Sequence, residues 1–273
     1  MKTWLPSHIQ GIVILGRVCI FVDGENFRHS IVKIFNSGEF DGRDYLPKQA
    51  DWTKFFDWLV ERACGSAAQR LRCYWYSLEQ VDFYPYRFPN ADKETDSLRI
   101  VLSKNDNYKS VIANFKNAAK DDEIAWMKEK VSELKLKQQN FLSRFMGWQV
   151  VQDGIANRHR AIEFRRAGAS TYNLFDGKMG QEKAVDVMLA TDMIMLKDIY
   201  DIAILVSGDQ DYVPAVRRIK DAGKIVVNVA FQTKAGDLLP GGARRLHNLT
   251  DSSIAIQYSD LIQFLNLNEK NSN

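Results

Sequence analysis

The sequence has few cysteines and histidines, and neither residue type forms a metal-binding pattern. Its 273 residues include three cysteines, Cys19, Cys64 and Cys73, without a CxxC spacing, and four scattered histidines. The odd number of cysteines argues against a disulfide framework. Because Cys19 and Cys73 lie in apolar, strand-like runs, the pattern predicts buried free thiols in a reducing cytosol. No zinc site of the Cys/His type is indicated.

The sequence also lacks a membrane-spanning run and a strong excess of either charge. Its apolar N-terminal stretch, residues 9–22, is interrupted by Arg17, is too short to cross a bilayer and is not followed by a cleavage-site pattern. We therefore expect a soluble, cytoplasmic protein with an unprocessed N-terminus and no membrane partner. The net charge of +3 permits an anionic partner without requiring one.

No internal repeat, low-complexity run or linker divides the chain, so we predict one domain over residues 1–273 with a frayed tail at 269–273. A long helix rich in Lys and Glu is expected over residues 121–145. Its apolar side chains follow a heptad seam: Ile124, Met127, Val131, Leu134, Phe141 and Phe145. The seam either covers the chain's own core or forms a helical hairpin or dimer contact. We predict a helical insertion over residues 80–147, and a homodimer would form through this insertion.

Buried strands that end in acidic turns indicate an α/β fold. Residues 202–206 (IAILV) are typical of a strand buried on both faces, and a turn, a helix over 212–222 and another strand at 225–230 follow. Further strands are predicted at residues 17–22 and 71–77, a short one at 147–151, and a hairpin from 161–165 and 170–175. Ligands of open α/β sheets bind at the carboxyl ends of the strands.

Carboxylates occur where these strands end and where a helix over residues 180–196 begins. Asp23 follows the first strand, Asp209 and Asp211 follow the strand at 202–206, and Asp186 lies in the first turn of that helix. One of them could be only a helix cap, but capping does not need both Asp209 and Asp211. Asp192 lies roughly two-thirds of a revolution beyond Asp186 and does not share its face.

Like charges gathered at one sheet edge require compensation, and oxygen ligands without His or Cys favour Mg²⁺ or Mn²⁺. Such a site activates water and stabilises charge on a phosphoryl group. A basic stretch precedes the acidic helix, and its arginines are either ordinary surface residues or contacts to nucleic-acid phosphates. The candidates for holding a nucleic-acid backbone are Arg158, Arg160, Arg165, Arg166 and Lys183.

Three segments carry a family resemblance: IFVDGEN at residues 20–26, KAVDVMLATD at 183–192 and LVSGDQDYVP at 205–214. Together and in this order they resemble the motifs of the NYN domain family, which belongs to the PIN-like nuclease superfamily and includes bacterial LabA-type proteins. The resemblance implies a Rossmann-like PIN/NYN fold, a central parallel sheet flanked by helices, and a ribonuclease dependent on Mg²⁺ or Mn²⁺.

By motif position the resemblance makes Asp23, Asp186 and Asp209 metal ligands and Asp211 a ligand or water-positioning residue, so that all four are catalytic candidates. Asn26 and Ser207 would be auxiliary residues, and Asp192 matches a recurrent position. Ala184 departs from the family, which commonly has glycine there.

We expect a metal-dependent phosphodiesterase acting on single-stranded RNA. The alternatives are a regulatory or nucleic-acid-binding module of the same fold with weak catalysis, and a phosphohydrolase of small nucleotides.

Overall fold

Parallel strands form most of the sheet. The computed structural model describes residues 16–35, 39–115, 119–182, 184–239 and 244–267. Five parallel strands are neighbours in the order β2-β1-β5-β6-β8. They are β1 (Arg17–Asp23), β2 (Gln69–Tyr84), β5 (Ile202–Val206), β6 (Ile225–Gln232) and β8 (Ser252–Ile256). Next to β2 lies β3 (Ile162–Asn173), and two short strands, β4 (Lys178–Met179) and β7 (Leu238–Leu239), pair antiparallel with β3 and β6. The sheet is thus mostly parallel, as the sequence predicts.

The central strands are apolar because helices cover the sheet. Every residue of β5 is buried, as is every residue of β1 after Arg17. One core cluster joins β1 and β5 to α1 (Gly24–Ile34), α2 (Trp52–Cys64) and α9 (Tyr258–Leu265). Two further helices, α6 (Val185–Met195) and α7 (Val213–Asp221), contact β1 and β6 respectively. Cys19, Cys64 and Cys73 are buried and free, as predicted for Cys19 and Cys73.

The chain divides into two compact units. The first comprises residues 1–78, 148–167 and 184–273, and the second comprises residues 79–147 and 168–183. The second unit contains α3 (Thr95–Leu102), α4 (Asp106–Asn114) and most of α5 (Lys120–Arg158). The predicted frayed tail, residues 269–273, lies outside the described residues.

The heptad seam of α5 lies inside the second unit. Met127 and Leu134 are fully buried in one cluster with residues of α3 and α4, and Val131 packs against that cluster. Phe141 stacks on Tyr172, with 3.9 Å between the ring centroids. These contacts favour the interpretation in which the seam covers the chain's own core, and the homodimer remains a prediction.

The short strand predicted at residues 147–151 is wrong, because α5 continues without interruption to Arg158. Trp148, Val151 and Ile155 follow helical spacing and pack into the core of the first unit. Residues 147–151 with their two valines resemble a short strand, and five residues are too few to show the helical spacing of the apolar side chains. Neither α5 nor any other helix in the described part of the chain combines the length and apolarity needed to cross a membrane.

The hairpin predicted from residues 161–165 and 170–175 is also wrong, because the single strand β3 continues from the first segment into the second without reversing. Gly168 lies within the strand with φ of 67°, a conformation that glycine adopts without steric cost. The small residues at 167–169 therefore mark an irregularity inside a strand, not a reversal. The neighbouring strand β2 is 16 residues long and offers β3 an extended edge.

Candidate metal centre

The acidic residues predicted from the sequence meet at the carboxyl ends of β1 and β5. These strands are parallel neighbours, with Val22 opposite Val206. Asp23 ends β1, whereas Asp209 and Asp211 follow β5 at a short 3-10 helix, Gln210–Tyr212. Asp186 lies in the first turn of α6, which contacts this 3-10 helix. Parallel strand direction brings residues from distant parts of the sequence to one edge.

Three of these acids form a group of suitable size for a cation. Asp186, Asp209 and Asp211 each offer one carboxylate oxygen, and the three oxygens lie within 4.8 Å of one another. No ion pair among the described residues involves any of the three. Burial raises the pKa of Asp186, the hydrogen bond from Tyr212 lowers it, and the charges of Asp209 and Asp211 raise it again. Three hard oxygen donors without an ion-pair partner among the described residues fit Mg²⁺ or Mn²⁺.

Local hydrogen bonds hold the turn that carries two of these acids. The amide of Asp209 donates to Oγ of Ser207 at 3.1 Å, and Oδ1 of Asp209 accepts from the amide of Asp211 at 2.9 Å. Asp209 is therefore both the cap of the 3-10 helix and a candidate ligand. Its other carboxylate oxygen is not used by the cap.

Asp23 lies beside this group but is not a member of it. Its Oδ1 accepts from the amide of Asn26 at 3.1 Å, and its Oδ2 accepts from Oγ of Ser207 at 2.9 Å. Asp23 is only 4% exposed, and burial raises its pKa to about 7 even though both hydrogen bonds lower it. The structure thus places Asp23 as a buried, internally bonded carboxyl at the base of the site.

Tyr212 connects Asp23 to Asp186 of the group of three acids, a role that the local sequence does not indicate. Its hydroxyl donates to Oδ1 of Asp186 at 2.5 Å and lies 3.4 Å from Oδ2 of Asp23. The only available signal was its place directly after Asp211 in a turn that the family resemblance already marks. Nothing in the local pattern shows that its hydroxyl reaches the first turn of another helix.

The auxiliary residues Asn26 and Ser207 also lie at this edge. Oδ1 of Asn26 accepts from the amide of Gly208 at 3.4 Å, which connects the start of α1 to the turn after β5. Gly24 precedes them in a position that no other residue can fill, because an added Cβ would lie 2.2 Å from the carbonyl oxygen of Tyr76. The glycine thus permits close packing of α1 on β2 beside Asp23.

Asp192 does not belong to the group of three acids, as predicted from its position on a different face of the helix from Asp186. Its Oδ2 accepts from the hydroxyl of Tyr76 at 2.9 Å and from Nη1 of Arg165 at 2.5 Å. The guanidinium of Arg165 also bonds Glu163 and lies 4.1 Å from the ring centroid of Tyr74. Asp192 therefore fastens α6 to the sheet.

The predicted backbone-binding cations have different surroundings. Arg165 and Arg166 are partly buried and pair with carboxylates, Arg166 with Asp153 at 2.5 Å. Arg158 is exposed, and its guanidinium donates to the carbonyl oxygens of Gly154 and Lys48. Arg160 is exposed. Lys183 lies outside the described residues.

The start of α6 contains a strained residue. Ala184 precedes Val185 with φ of 84°, the left-handed conformation that favours glycine. Glycine adopts this conformation without a steric cost, which explains why the family that the sequence resembles commonly has glycine at this position.

Comparison with known proteins identifies part of the chain. Residues 143–241 match the family model described as the NYN domain. This range includes Asp186, Asp209 and Asp211 but not Asp23. A crystal structure of a protein of unknown function from Vibrio parahaemolyticus is similar over 93% of this chain and 99% of that chain, with a TM-score of 0.40 and 15% sequence identity. No curated protein matches the chain.

Proposed function

Because this chain contains an NYN domain, a domain of the PIN-like nuclease superfamily, we propose that it is a ribonuclease that hydrolyses phosphodiester bonds in single-stranded RNA with Mg²⁺ or Mn²⁺. The observation that carries the proposal is the group of three carboxylates, Asp186, Asp209 and Asp211, whose oxygens lie within 4.8 Å of one another. Three close carboxylates without a paired cation among the described residues are costly unless a cation joins them.

Each acid has a distinct part in this proposal. Asp186 and Asp209 would hold the cation in fixed positions, since Tyr212 orients the first and the capping bonds of the turn orient the second. Asp211 is exposed and can hold the cation or orient water toward the phosphate. When bound, a divalent ion supplies charge stabilisation for a phosphoryl group and activation of water. Asp23, buried behind them, would support the site through Ser207 and Tyr212 and act as a ligand only if its side chain turns.

Cleavage of defined substrates tests the proposal directly. Labelled single-stranded RNA, double-stranded RNA, single-stranded DNA and duplex DNA are incubated with Mg²⁺, Mn²⁺ or EDTA. We expect cleavage of single-stranded RNA with either metal and none with EDTA. Asp209→Asn should abolish it while leaving the circular dichroism spectrum unchanged. Asp221→Asn, which makes the same change at an exposed position at the end of α7, is the control and should keep full activity.

A thermal measurement tests the metal site independently of activity. A cation that binds only the folded state at a hundredfold excess over its dissociation constant stabilises it by about 2.7 kcal/mol. Mn²⁺ should therefore raise the melting temperature of the wild type more than that of Asp186→Asn or Asp23→Asn. Equal shifts in all three proteins would place the cation elsewhere. Wild-type cleavage rates in Asp209→Asn would refute the catalytic assignment, whereas binding of RNA without cleavage would favour a regulatory module.

A further inference from the structure

Three arginines beside the acidic group have no partner within the described chain. Arg217 and Arg218 lie on α7, and Arg245 lies on α8 (Arg244–Leu249). All three are exposed, and none takes part in a hydrogen bond or ion pair between described residues. Arg165 and Arg166, in contrast, are held by carboxylates.

The fold places these arginines close to the acids. α7 begins directly after the 3-10 helix that holds Asp211, and Arg217 follows Asp211 by six residues. At the helical rise of 1.5 Å per residue, this separation is about 9 Å along the axis. The apolar face of α7, with Val216 and Ile219 fully buried, turns Arg217 and Arg218 to solvent.

α8 places Arg245 near the start of α7. α8 contacts both α7 and the 3-10 helix. At the other end, Nζ of Lys220 donates to the carbonyl oxygen of Leu249 at 2.6 Å and pairs with Asp251 at 3.0 Å. The last residue of α8 thus lies beside the end of α7, so the two helices run in the same direction. The first half of α8, with Arg245, is therefore the half nearer to the acids.

We propose that Arg217, Arg218 and Arg245 form a surface that binds the phosphodiester backbone of the nucleic-acid substrate next to the acidic site. The inference rests on the proposed function, because a phosphate held at the acids determines where its neighbours along the strand lie. Acidic residues repel a polyanion, and nearby cations offset this repulsion as they release counterions from the strand. Arginine suits this task because its planar fork donates two hydrogen bonds to one phosphate.

The surface acts on the backbone and not on the bases. Phosphate contacts position a strand without reading its sequence, so RNA and single-stranded DNA should both bind there. Any preference for RNA would then arise at the acids or at other residues. Of the arginines predicted from sequence, Arg165 and Arg166 contribute little in comparison, since Asp153, Glu163 and Asp192 neutralise their charges.

A binding assay under conditions that prevent cleavage tests this surface separately from the acids. A fluorescein-labelled 20-nucleotide RNA of mixed sequence, and the matching DNA, are titrated in EDTA at several salt concentrations with fluorescence anisotropy as the readout. The test variant is Arg217→Gln/Arg218→Gln/Arg245→Gln. The control is Lys33→Gln/Lys48→Gln/Lys54→Gln, which removes the same charge from exposed positions elsewhere in the first unit.

We expect the test variant to raise the dissociation constant at least tenfold for both strands, and the control to change it less than threefold. The slope of log affinity against log salt should fall by about 2 in the test variant, since each lost phosphate contact of a single strand accounts for about 0.7. Equal affinities of test and control variants, or a wild type that binds neither strand at low salt, would overturn the inference. A wild type that binds through these arginines but does not cleave would refute the ribonuclease and leave the binding surface intact.

Discussion

The hydroxyl of Tyr212 donates a hydrogen bond to Oδ1 of Asp186 at 2.5 Å and lies 3.4 Å from Oδ2 of Asp23. Tyr212 is fully buried, so its ring position is determined by packing. A hydroxyl has one proton and can donate it fully to only one of these carboxylates at a time. The short distance shows that Asp186 receives it. Tyr212 is therefore a positioning residue that orients Asp186, a half-buried candidate ligand.

Removal of this hydroxyl should weaken metal binding more than folding. Tyr212→Phe keeps the ring and removes the donor, so we expect the dissociation constant for Mn²⁺ to rise about tenfold, a usual effect of a lost partner of a metal ligand. The free energy of unfolding should fall by only about 1 kcal/mol. Titration calorimetry and chemical denaturation measure the two quantities. Tyr200→Phe, which removes another buried hydroxyl, one bonded to the carbonyl oxygen of Met193, is the control and should leave the Mn²⁺ affinity unchanged.

The buried carboxyl of Asp23 should make stability depend on pH. Burial raises its pKa to about 7 in the folded protein, above its ordinary value near 4 in the unfolded chain. The folded state therefore holds a proton between these values that the unfolded state has lost. It follows that the stabilisation from the raised pKa of Asp23 is fully present below pH 4 and decreases as the pH rises to about 7. Above pH 7 the contribution of Asp23 no longer changes with pH.

Denaturant titrations in EDTA between pH 4 and pH 8 check this dependence. Asparagine at position 23 cannot titrate, so the free energy of unfolding of Asp23→Asn should fall less over this range than that of the wild type. The difference between the two falls should be at most about 4 kcal/mol. Asp186 and Glu25, whose pKa values burial also raises, titrate in both proteins, so the difference between the two curves reports Asp23 together with its electrostatic effect on these two carboxyls. Parallel curves for the two proteins would contradict the assignment of a raised pKa to Asp23.

Relief of the strained backbone before α6 should stabilise the protein. Ala184 has φ of 84°, where glycine avoids a steric cost of about 1 kcal/mol. Ala184→Gly is therefore expected to raise the melting temperature by roughly 2–4 °C. Ala222→Gly is the control, because Ala222 has φ of −82° and gains nothing from glycine. A lower melting temperature for Ala184→Gly would show that the flexibility gained by the unfolded chain outweighs the strain.

The two sides of α5 should respond differently to charge. Leu134 is fully buried within the second unit, whereas Leu136 is 58% exposed. Leu134→Glu should lower the free energy of unfolding by more than about 3 kcal/mol, because it buries a charge and removes packing. Leu136→Glu should change it by less than about 0.5 kcal/mol. Light scattering on both variants adds a second result: a mass halved by Leu136→Glu would favour a homodimer through this helix, and an unchanged mass would not.

Local sequence was sufficient to predict the acidic edge because strand ends and helix starts have short-range signatures. The run at residues 202–206 has no polar residue, so it had to be buried, and the acids after it had to lie at its carboxyl end. The same argument applied to Asp23 after β1. Parallel pairing of β1 and β5 then brought these ends together. The length of α5 and the continuity of β3 were missed, since one residue such as Gly147 or Gly168 can end an element or lie within it.

The sequence by itself thus determined the sheet, the set of acids and the family resemblance, because apolar runs and turn residues act within a few positions of the chain. Only the tertiary structure decided which charges are compensated. Asp23 is separated from the three close carboxylates by its own hydrogen bonds, and Arg165 is held by Asp192, 27 residues away along the chain. Among the described residues, Arg217 and Arg245 are left without partners, and they lie on the two helices that contact the 3-10 helix of the site. Electrostatic interactions depend on distance and burial in space, and residues far apart in sequence supply both.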